Sequence, residues 1–393
     1  MTGAGNEAIL HSAVEPMTPK ERMAAAMAGS APDRVPVMCQ MSIGHMLLQT
    51  GAEPARFWHA ADAFADGLVK MRSLYGFDGI LVSLHGHSAG WERRVAAVEQ
   101  GPDGERVRWK NGDTTFFPFD DLPVVHPARP PVRPEFDRFD PESLPAETAY
   151  IPVSQGLRFV LDPEHLFDAI SIVRGKAGGE FSIHGEVTSP LDYFLDLFGF
   201  EQAMIGFLED PGRAAQVLGR FTDGVVALAA GMVDEGVDAV KISSPFAGAG
   251  FLSAAFYRAF VLPYEGRIAR AVEARGARAY IHTCGDIHDR LELMAGSGAS
   301  GIECLDPPPL GRVDLADAKK RIGGKFFIKG NIDPVHVLLS GSMELVREDA
   351  RSRIATGKPG GGYILSTACS IAPRTPRENV CVLAEAAEAG GVY

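Results

Sequence analysis

The sequence predicts an α/β fold, a (β/α)8 TIM barrel carrying a small antiparallel β insert after the second strand. Three observations predict it. Eight short, β-branched, mostly apolar runs recur along the chain, the pattern of parallel strands covered on the outside by helices. Amphipathic stretches separate them, and no early Gly-rich phosphate fingerprint marks a doubly wound sheet.

Taken in order, residues 1–17 carry little pattern and read as a flexible arm preceding a single domain over 18–393. Order begins at Thr18-Pro19-Lys20-Glu21, where Thr18 can cap a helix, Pro19 suits its first position and Glu21 completes a capping box. The helix ends near Gly29, and Pro32-Asp33-Arg34 turns into the first strand. The eight strands are Val35–Gln40, Gly79–Leu84, Phe181–Val187, Ala239–Ser244, Ala277–Cys284, Gly301–Leu305, Phe326–Asn331 and Tyr363–Cys369. Phe194–Glu209, Phe256–Arg275 and Ile287–Ala295 are amphipathic helical stretches between them.

One crossover breaks the rhythm. Residues 85–180 separate the second and third strands, far more chain than a parallel crossover needs. Within it Arg93–Gln100, Arg106–Lys110 and Thr114–Phe119 read as antiparallel strands, joined by the turn signals Pro102-Asp103-Gly104 and Asn111-Gly112-Asp113. A Pro-rich stretch, Pro127 to Pro134, follows, and the insert covers about residues 89–150. It leaves the C-terminal end of a strand, the end at which barrels place their active sites. It serves equally well as a substrate lid or as a flap for subunit contact.

Composition excludes some partners. With 38 Lys plus Arg against 50 Asp plus Glu, the net charge is -12, and no basic cluster offers the phosphate contacts of a nucleic-acid binder. No apolar run approaches the ~20 residues that cross a bilayer. The N-terminus lacks the charged and apolar regions of a signal peptide. Five scattered cysteines do not form a disulfide framework. The expectation is a cytoplasmic protein whose thiols are free to bind metal; self-association is left open.

The chemistry concentrates in Tyr280-Ile281-His282-Thr283-Cys284-Gly285-Asp286. On a strand, residues i and i+2 share a face, so His282 and Cys284 can both point into the barrel mouth. Cys369 ends the eighth strand on the same rim. Two cysteines and one histidine form the three-ligand set of a catalytic zinc with a fourth position open. Thiolates and imidazole suit zinc and disfavour magnesium or calcium. An HxC pair by itself is a weak signal, more often a pair of buried core residues than a metal site.

With these residues in place, the chain resembles the zinc-dependent methylcobamide:coenzyme M methyltransferases and related corrinoid methyltransferases of the uroporphyrinogen decarboxylase superfamily. Four pieces carry the resemblance. They are the His282-to-Asp286 string; Gly330-Asn331-Ile332-Asp333-Pro334 after the seventh strand; Cys369 with Ile371-Ala372-Pro373 and Thr375-Pro376-Arg377-Glu378-Asn379; and the opening Thr18–Arg22 with Asp33 to Val37. The resemblance implies a barrel, zinc on His282, Cys284 and Cys369, and a cobalamin-type (corrinoid) methyl carrier.

The chain also departs from the decarboxylases proper. After the first strand it reads Cys39-Gln40-Met41-Ser42-Ile43-Gly44-His45, without the arginines that hold substrate carboxylates. After the second it reads Ser83-Leu84-His85-Gly86-His87, without a catalytic aspartate. Decarboxylation of a uroporphyrinogen-like substrate is therefore the lesser alternative, beside a zinc-dependent lyase or hydrolase.

Other residues stand near the expected mouth. His85 and His87 are a fourth zinc ligand, a proton shuttle, substrate contacts, or a hydrogen-bonded pair bracing the insert. Glu186, Glu303 and Asp306 end the third and sixth strands as ligands or substrate contacts; Asn331 fixes a turn or reaches the site. Cys304 reads equally as packing or function, and Cys39 and Cys381 as structural. The expected activity moves a methyl group between a corrinoid, held by a separate carrier protein, and the heteroatom of a small substrate. Demethylation of a methoxy, methylthio or methylamine compound is favoured slightly over thiol methylation.

Overall fold

The computed structural model describes residues 16–393. The first fifteen residues of the expected arm lie outside them, whereas Met17 donates its N–H to Asp33 Oδ2 at 3.1 Å. The expected capping box forms: Glu21 N–H donates to Thr18 Oγ1 at 3.2 Å, and Thr18 N–H to Glu21 Oε2 at 2.9 Å. It starts the helix Pro19–Met27.

The strands run β1 (Gly79–Val82), then β2 (Val95–Gln100), β3 (Gly104–Trp109), β4 (Thr114–Pro118), β5 (Val124–His126), β6 (Tyr150–Val153) and β7 (Leu157–Val160). They continue as β8 (Ser182–Thr188), β9 (Ala239–Ser243), β10 (Arg278–Thr283), β11 (Gly301–Cys304), β12 (Phe327–Ile332) and β13 (Tyr363–Thr367). A seven-stranded parallel sheet has the order β1-β8-β9-β10-β11-β12-β13. Its strands are buried on both faces, which is why their sequences are almost uniformly apolar.

The expected first strand, Val35–Gln40, is not one. Val37 and Met41 make only single bridges, to Leu365 and Ile371. Pro36 has no N–H to give, and the N–H of Val37 is taken by the Asp78 side chain at 2.8 Å rather than by a neighbouring strand. Asp78 is itself held by the buried Arg22 guanidinium at 2.6 Å and by Arg34 at 3.1 Å. The segment still runs beside both edges of the sheet: Leu365 N–H donates to Pro36 O, Met38 N–H to Leu365 O, and Asp78 N–H to Val37 O.

The sheet curls until side chains from its two edges, Leu81 and Ile364, share one apolar cluster with Met38, Ala239, Tyr280 and Phe327. Met23, Ala26 and Met27 of the first helix complete that cluster, so this helix plugs the end at which the strands begin. The chemistry is left to the other end.

The insert contains the three expected antiparallel strands, β2 to β4, with β5 added at the edge. Asn111-Gly112-Asp113 makes its turn, with Trp109 N–H donating to Asp113 O at 2.9 Å and Gly112 at φ +94°. A further hairpin, β6–β7, starts at residue 150, where the insert was expected to end. Two amphipathic stretches each divide into two helices. Gly199 separates Pro190–Phe198 from Phe200–Glu209, and a break at Val261, just before Pro263, separates Ala254–Phe260 from Leu262–Glu273. No helix among the described residues is long and apolar enough to cross a membrane.

Candidate metal centre

β10 delivers His282 on its last turn of pleat, and Cys284 follows two residues later on the same side, with His282 Nε2 and Cys284 Sγ 3.3 Å apart. Cys369, just past β13, brings its sulfur to 3.7 Å from that of Cys284. The structure thus brings the three sequence-predicted donors together from two strands far apart in the chain. It adds a fourth. Cys304, the last residue of β11, is fully buried, and its sulfur, that of Cys284 and a His282 ring nitrogen lie within 4.8 Å of one another.

All four donors sit at strand C-termini, and the three thiols are free. Cys304 adopts φ +88° and Leu305 φ +57°, uncommon for residues with a Cβ, so the chain turns sharply here to hold its sulfur inward. Loop 244–252 packs directly on the cluster: a Cβ on Gly248 would stand 2.4 Å from the carbonyl oxygen of Cys284. Arg290, fully buried, clamps this loop through the carbonyls of Ala247 and Leu252 at 2.5 and 2.7 Å.

The thiols polarise one another. Hydrogen bonds from Cys284 and Cys304 hold the Cys369 thiol well below its ordinary pKa. Burial, and then the neighbouring Cys284 and Cys369, push Cys304 well above its own. Burial and Lys241 oppose charge on His282, yet Cys284 and Cys369 carry its pKa well above the usual imidazole value. Three soft sulfurs and an imidazole, largely withdrawn from water and with mainly each other as partners, match a borderline-soft, four-coordinate ion such as zinc.

Beneath the donors, Glu303 and Glu186, both singled out in the sequence, meet two buried lysines that were not. Glu303 accepts from His282 Nδ1 at 3.0 Å and pairs with Lys329. Lys241 stands 3.1 Å from Glu186 Oε1 and 3.5 Å from Glu303 Oε2, and it also donates to Gln40. Both lysines are fully buried. Burial opposes ionisation of Glu303, but Lys329 and Lys241 hold its carboxylate well below the usual range. Glu303 is therefore the outer partner that fixes the His282 ring, with Nε2 toward the sulfurs. A signal was present: each lysine interrupts an otherwise apolar strand, Ala-Val-Lys-Ile and Phe-Ile-Lys.

Asp306 adjoins the cluster. Its Oδ2 accepts the Gly285 N–H at 2.6 Å and lies 3.3 Å from Cys304 Sγ, while Oδ1 is buried without a partner. Burial and the Cys369 sulfur raise its pKa. Asn331 belongs elsewhere: its amide donates to Leu305 O at 2.8 Å and accepts from Arg353 at 3.0 Å, tying strand ends to the helix Met343–Gly357. It thus fixes the turn rather than contributing a donor.

His85 and His87 are buried after β1, and neither ring has a hydrogen-bond partner at either nitrogen. They are not bonded to each other, so the bracing pair expected as one option does not form, and they do not join the donor cluster. His87 packs edge-on against Phe159 at 5.1 Å. Burial lowers the pKa of His85 to about 4 and of His87 to about 3, from 6.5. Folded, both stay neutral below pH 6.5, where the unfolded chain takes up their protons. Their contribution to stability is whole above that pH and is lost as the pH falls toward 4. Urea unfolding between pH 7 and 4.5 should show stability falling with acidity, each histidine adding a slope approaching ~1.4 kcal/mol per unit. A His85→Gln/His87→Gln protein should show a flatter profile, and an unchanged slope would contradict this account.

The comparisons with known proteins give the family. The family model described as Uroporphyrinogen decarboxylase (URO-D) matches residues 152–390, more than half the chain and all four donors. The chain belongs to the uroporphyrinogen decarboxylase family. Within it, the chain is similar to methylcobamide:CoM methyltransferases. It is 29% identical to MtaA of Methanosarcina barkeri over 221 residues, 56% of this chain and 62% of that protein. It is 26% identical to MtbA of Methanosarcina mazei over 380 residues, 94% of this chain and 98% of that protein. The match to the first of these relatives thus spans less than two thirds of its length. A solved structure, a methyltransferase from Methanosarcina mazei, superposes with a TM-score of 0.70 at 22% identity, covering 95% of this chain and 99% of that one; it establishes a shared fold.

Proposed function

We propose that the chain is a zinc-dependent methyltransferase that moves a methyl group between a corrinoid and the heteroatom of a small substrate. The observation that carries the reading is the convergence of His282, Cys284 and Cys369 at the C-terminal rim of the sheet. The names of the relatives, methylcobamide:CoM methyltransferases, support a corrinoid as the other party. We take the fold to be a (β/α)8 barrel in which residues 35–41 serve as the remaining stave.

Zinc bound here would supply Lewis acidity at the substrate heteroatom while the thiolates cancel its charge. The chain's own residues do the rest. Glu303 fixes the imidazole of His282. Arg290 and the loop it clamps cover one side of the donors. Glu186, whose Oε2 is buried without a partner, offers an acceptor to a polar substrate. This unfilled polarity favours demethylation of a methoxy, methylthio or methylamine compound over methylation of a bare thiol. Phe200 and Phe251, each about half exposed and packed with Phe246 on the loop that abuts Cys284, provide an apolar rim on which a separate corrinoid carrier can dock.

One observation favours a second reading. Cys304 makes a fourth protein donor, and four protein donors are the mark of a closed, structural zinc. The test is to follow the visible spectrum of cobalamin with zinc-loaded protein. Methylcobalamin would be offered small thiols, and reduced cobalamin a panel of methoxy and methylthio compounds. Acceleration that disappears on chelation is expected in at least one direction. A fully loaded protein inert in both would sink methyl transfer and leave the structural zinc.

A further inference from the structure

Away from the metal centre, a cavity of about 630 Å³ opens between the insert and the barrel. None of its lining residues is a metal donor, and most precede residue 152, where the family match begins. Its floor is buried and largely aromatic: Trp58, Phe117 and Phe159, with Leu157 and Leu161 beside them. Its wall already holds a stacked aromatic step. The His59 ring lies on Trp91 at 5.0 Å and 20°, and Trp109 meets it edge-on at 5.3 Å. His59 Nε2 is buried and has no hydrogen-bond partner.

The rim is cationic. Arg93, Arg94 and Lys110 line it, all exposed, and none has a carboxylate within 4.0 Å among the described residues. The Lys110 ammonium donates to the Arg93 carbonyl, and Arg94 leans over Trp109 at 5.9 Å. The other charged lining groups are engaged: Arg158 with Asp196 at 2.6 Å, Asp113 with Asn111 and with the N–H of Ala128, and Asp162 with the N–H of Glu164. In a chain of net charge -12, three cations without a close ion pair gather at one aromatic cavity, whose two lining carboxylates, Asp113 and Asp162, are turned to neighbouring N–H groups.

We propose that this cavity binds a small aromatic carboxylate, its ring on the Trp58–Phe117–Phe159 floor and its carboxylate at Arg93, Arg94 and Lys110. The volume falls within the usual 300–1,000 Å³ of small-molecule sites, roughly. A flat ring meets aromatic edges and faces on the floor, and guanidinium forks suit a carboxylate. The site is independent of the methyl-transfer reading, because it uses none of the donors.

Two of the chain's three tryptophans, Trp58 and Trp109, line this cavity, and the third, Trp91, stacks on its lining residue His59, so intrinsic fluorescence reports on it. Titration of the full chain with benzoate should give a saturable change with a Kd at or below about 1 mM. Benzyl alcohol, which lacks the charge, and cyclohexanecarboxylate, which lacks the flat ring, should bind at least ten-fold more weakly. An Arg93→Gln/Arg94→Gln protein, altered only on the exposed rim and checked for native circular dichroism, should lose ten-fold in benzoate affinity. Cys369→Ser should bind benzoate unchanged. No saturable benzoate binding, equal binding of benzyl alcohol, an unaffected arginine double variant, or loss of binding in Cys369→Ser would each overturn the proposal.

Discussion

Replacing Cys369 by serine is expected to strip the protein of its metal. Elemental mass spectrometry should find about one zinc per wild-type chain and only a small remainder in the variant. The reason is geometric. Cys369 follows the strand β13 and His282 and Cys284 come from the end of β10, so its sulfur is what joins two otherwise separate pieces into one donor set. Losing an outer partner of a metal ligand typically costs 10–100-fold, roughly, in affinity or activity. Loss of a ligand should exceed that, and methyl transfer should fall by more than about 100-fold. Cys304→Ser divides the two readings of the centre. Zinc retained in Cys304→Ser but lost in Cys369→Ser means an open site with three protein ligands. Zinc lost equally in both means a closed site of four, and zinc indifferent to Cys369 removes the basis of the assignment.

The second large effect is expected at Glu303. Glu303→Gln leaves Lys329 buried opposite a neutral amide and weakens the surroundings of Lys241, which keeps Glu186 as its one carboxylate partner beside the Gln40 amide. Removing one partner from a buried ion pair typically costs 3–5 kcal/mol, roughly, because the remaining charge cannot return to water. Urea unfolding should therefore show a loss of about that size. Chelator competition should also show zinc held 10–100-fold more weakly, on the order expected when a ligand histidine loses its fixed orientation. The paired replacement Glu303→Leu/Lys329→Met should cost less stability than the single one, since no charge is left alone. A single variant as stable as wild type would mean that the network carries no net charge of consequence.

Both predictions depend on features of unequal legibility. Seven of the strands were readable because a strand buried on both faces is a short apolar run between turn residues, and neighbouring chain does not alter that requirement. His282 and Cys284 were readable because the two-residue period of a strand places them on one side wherever the strand goes. Asn111-Gly112-Asp113 was readable because its turn depends on local backbone freedom.

What failed, failed where a distant residue decides. Val35–Gln40 has the composition of a strand, but Asp78, more than forty residues away, takes the N–H of Val37. The hairpin Tyr150–Val160 was hidden by Pro152 and Gly156, which interrupt the alternation that would have marked it. Lys241 and Lys329 look anomalous in their strands until Glu186 and Glu303 come into place. Cys304 reads equally as packing or function in sequence, and in space its sulfur lies beside Cys284 and His282, where the left-handed turn at Cys304 and Leu305 places it. The sequence by itself therefore determined the strands, the pair of donors within one strand, and the chemistry those donors favour, because each follows from local periodicity and residue type. Only the tertiary structure decided which thiols meet, which carboxylate steers the histidine, and where the insert leaves a cavity. Those depend on charges and sulfurs whose partners lie tens to hundreds of residues away, and burial makes such pairings decisive by leaving an unpaired group no water to turn to.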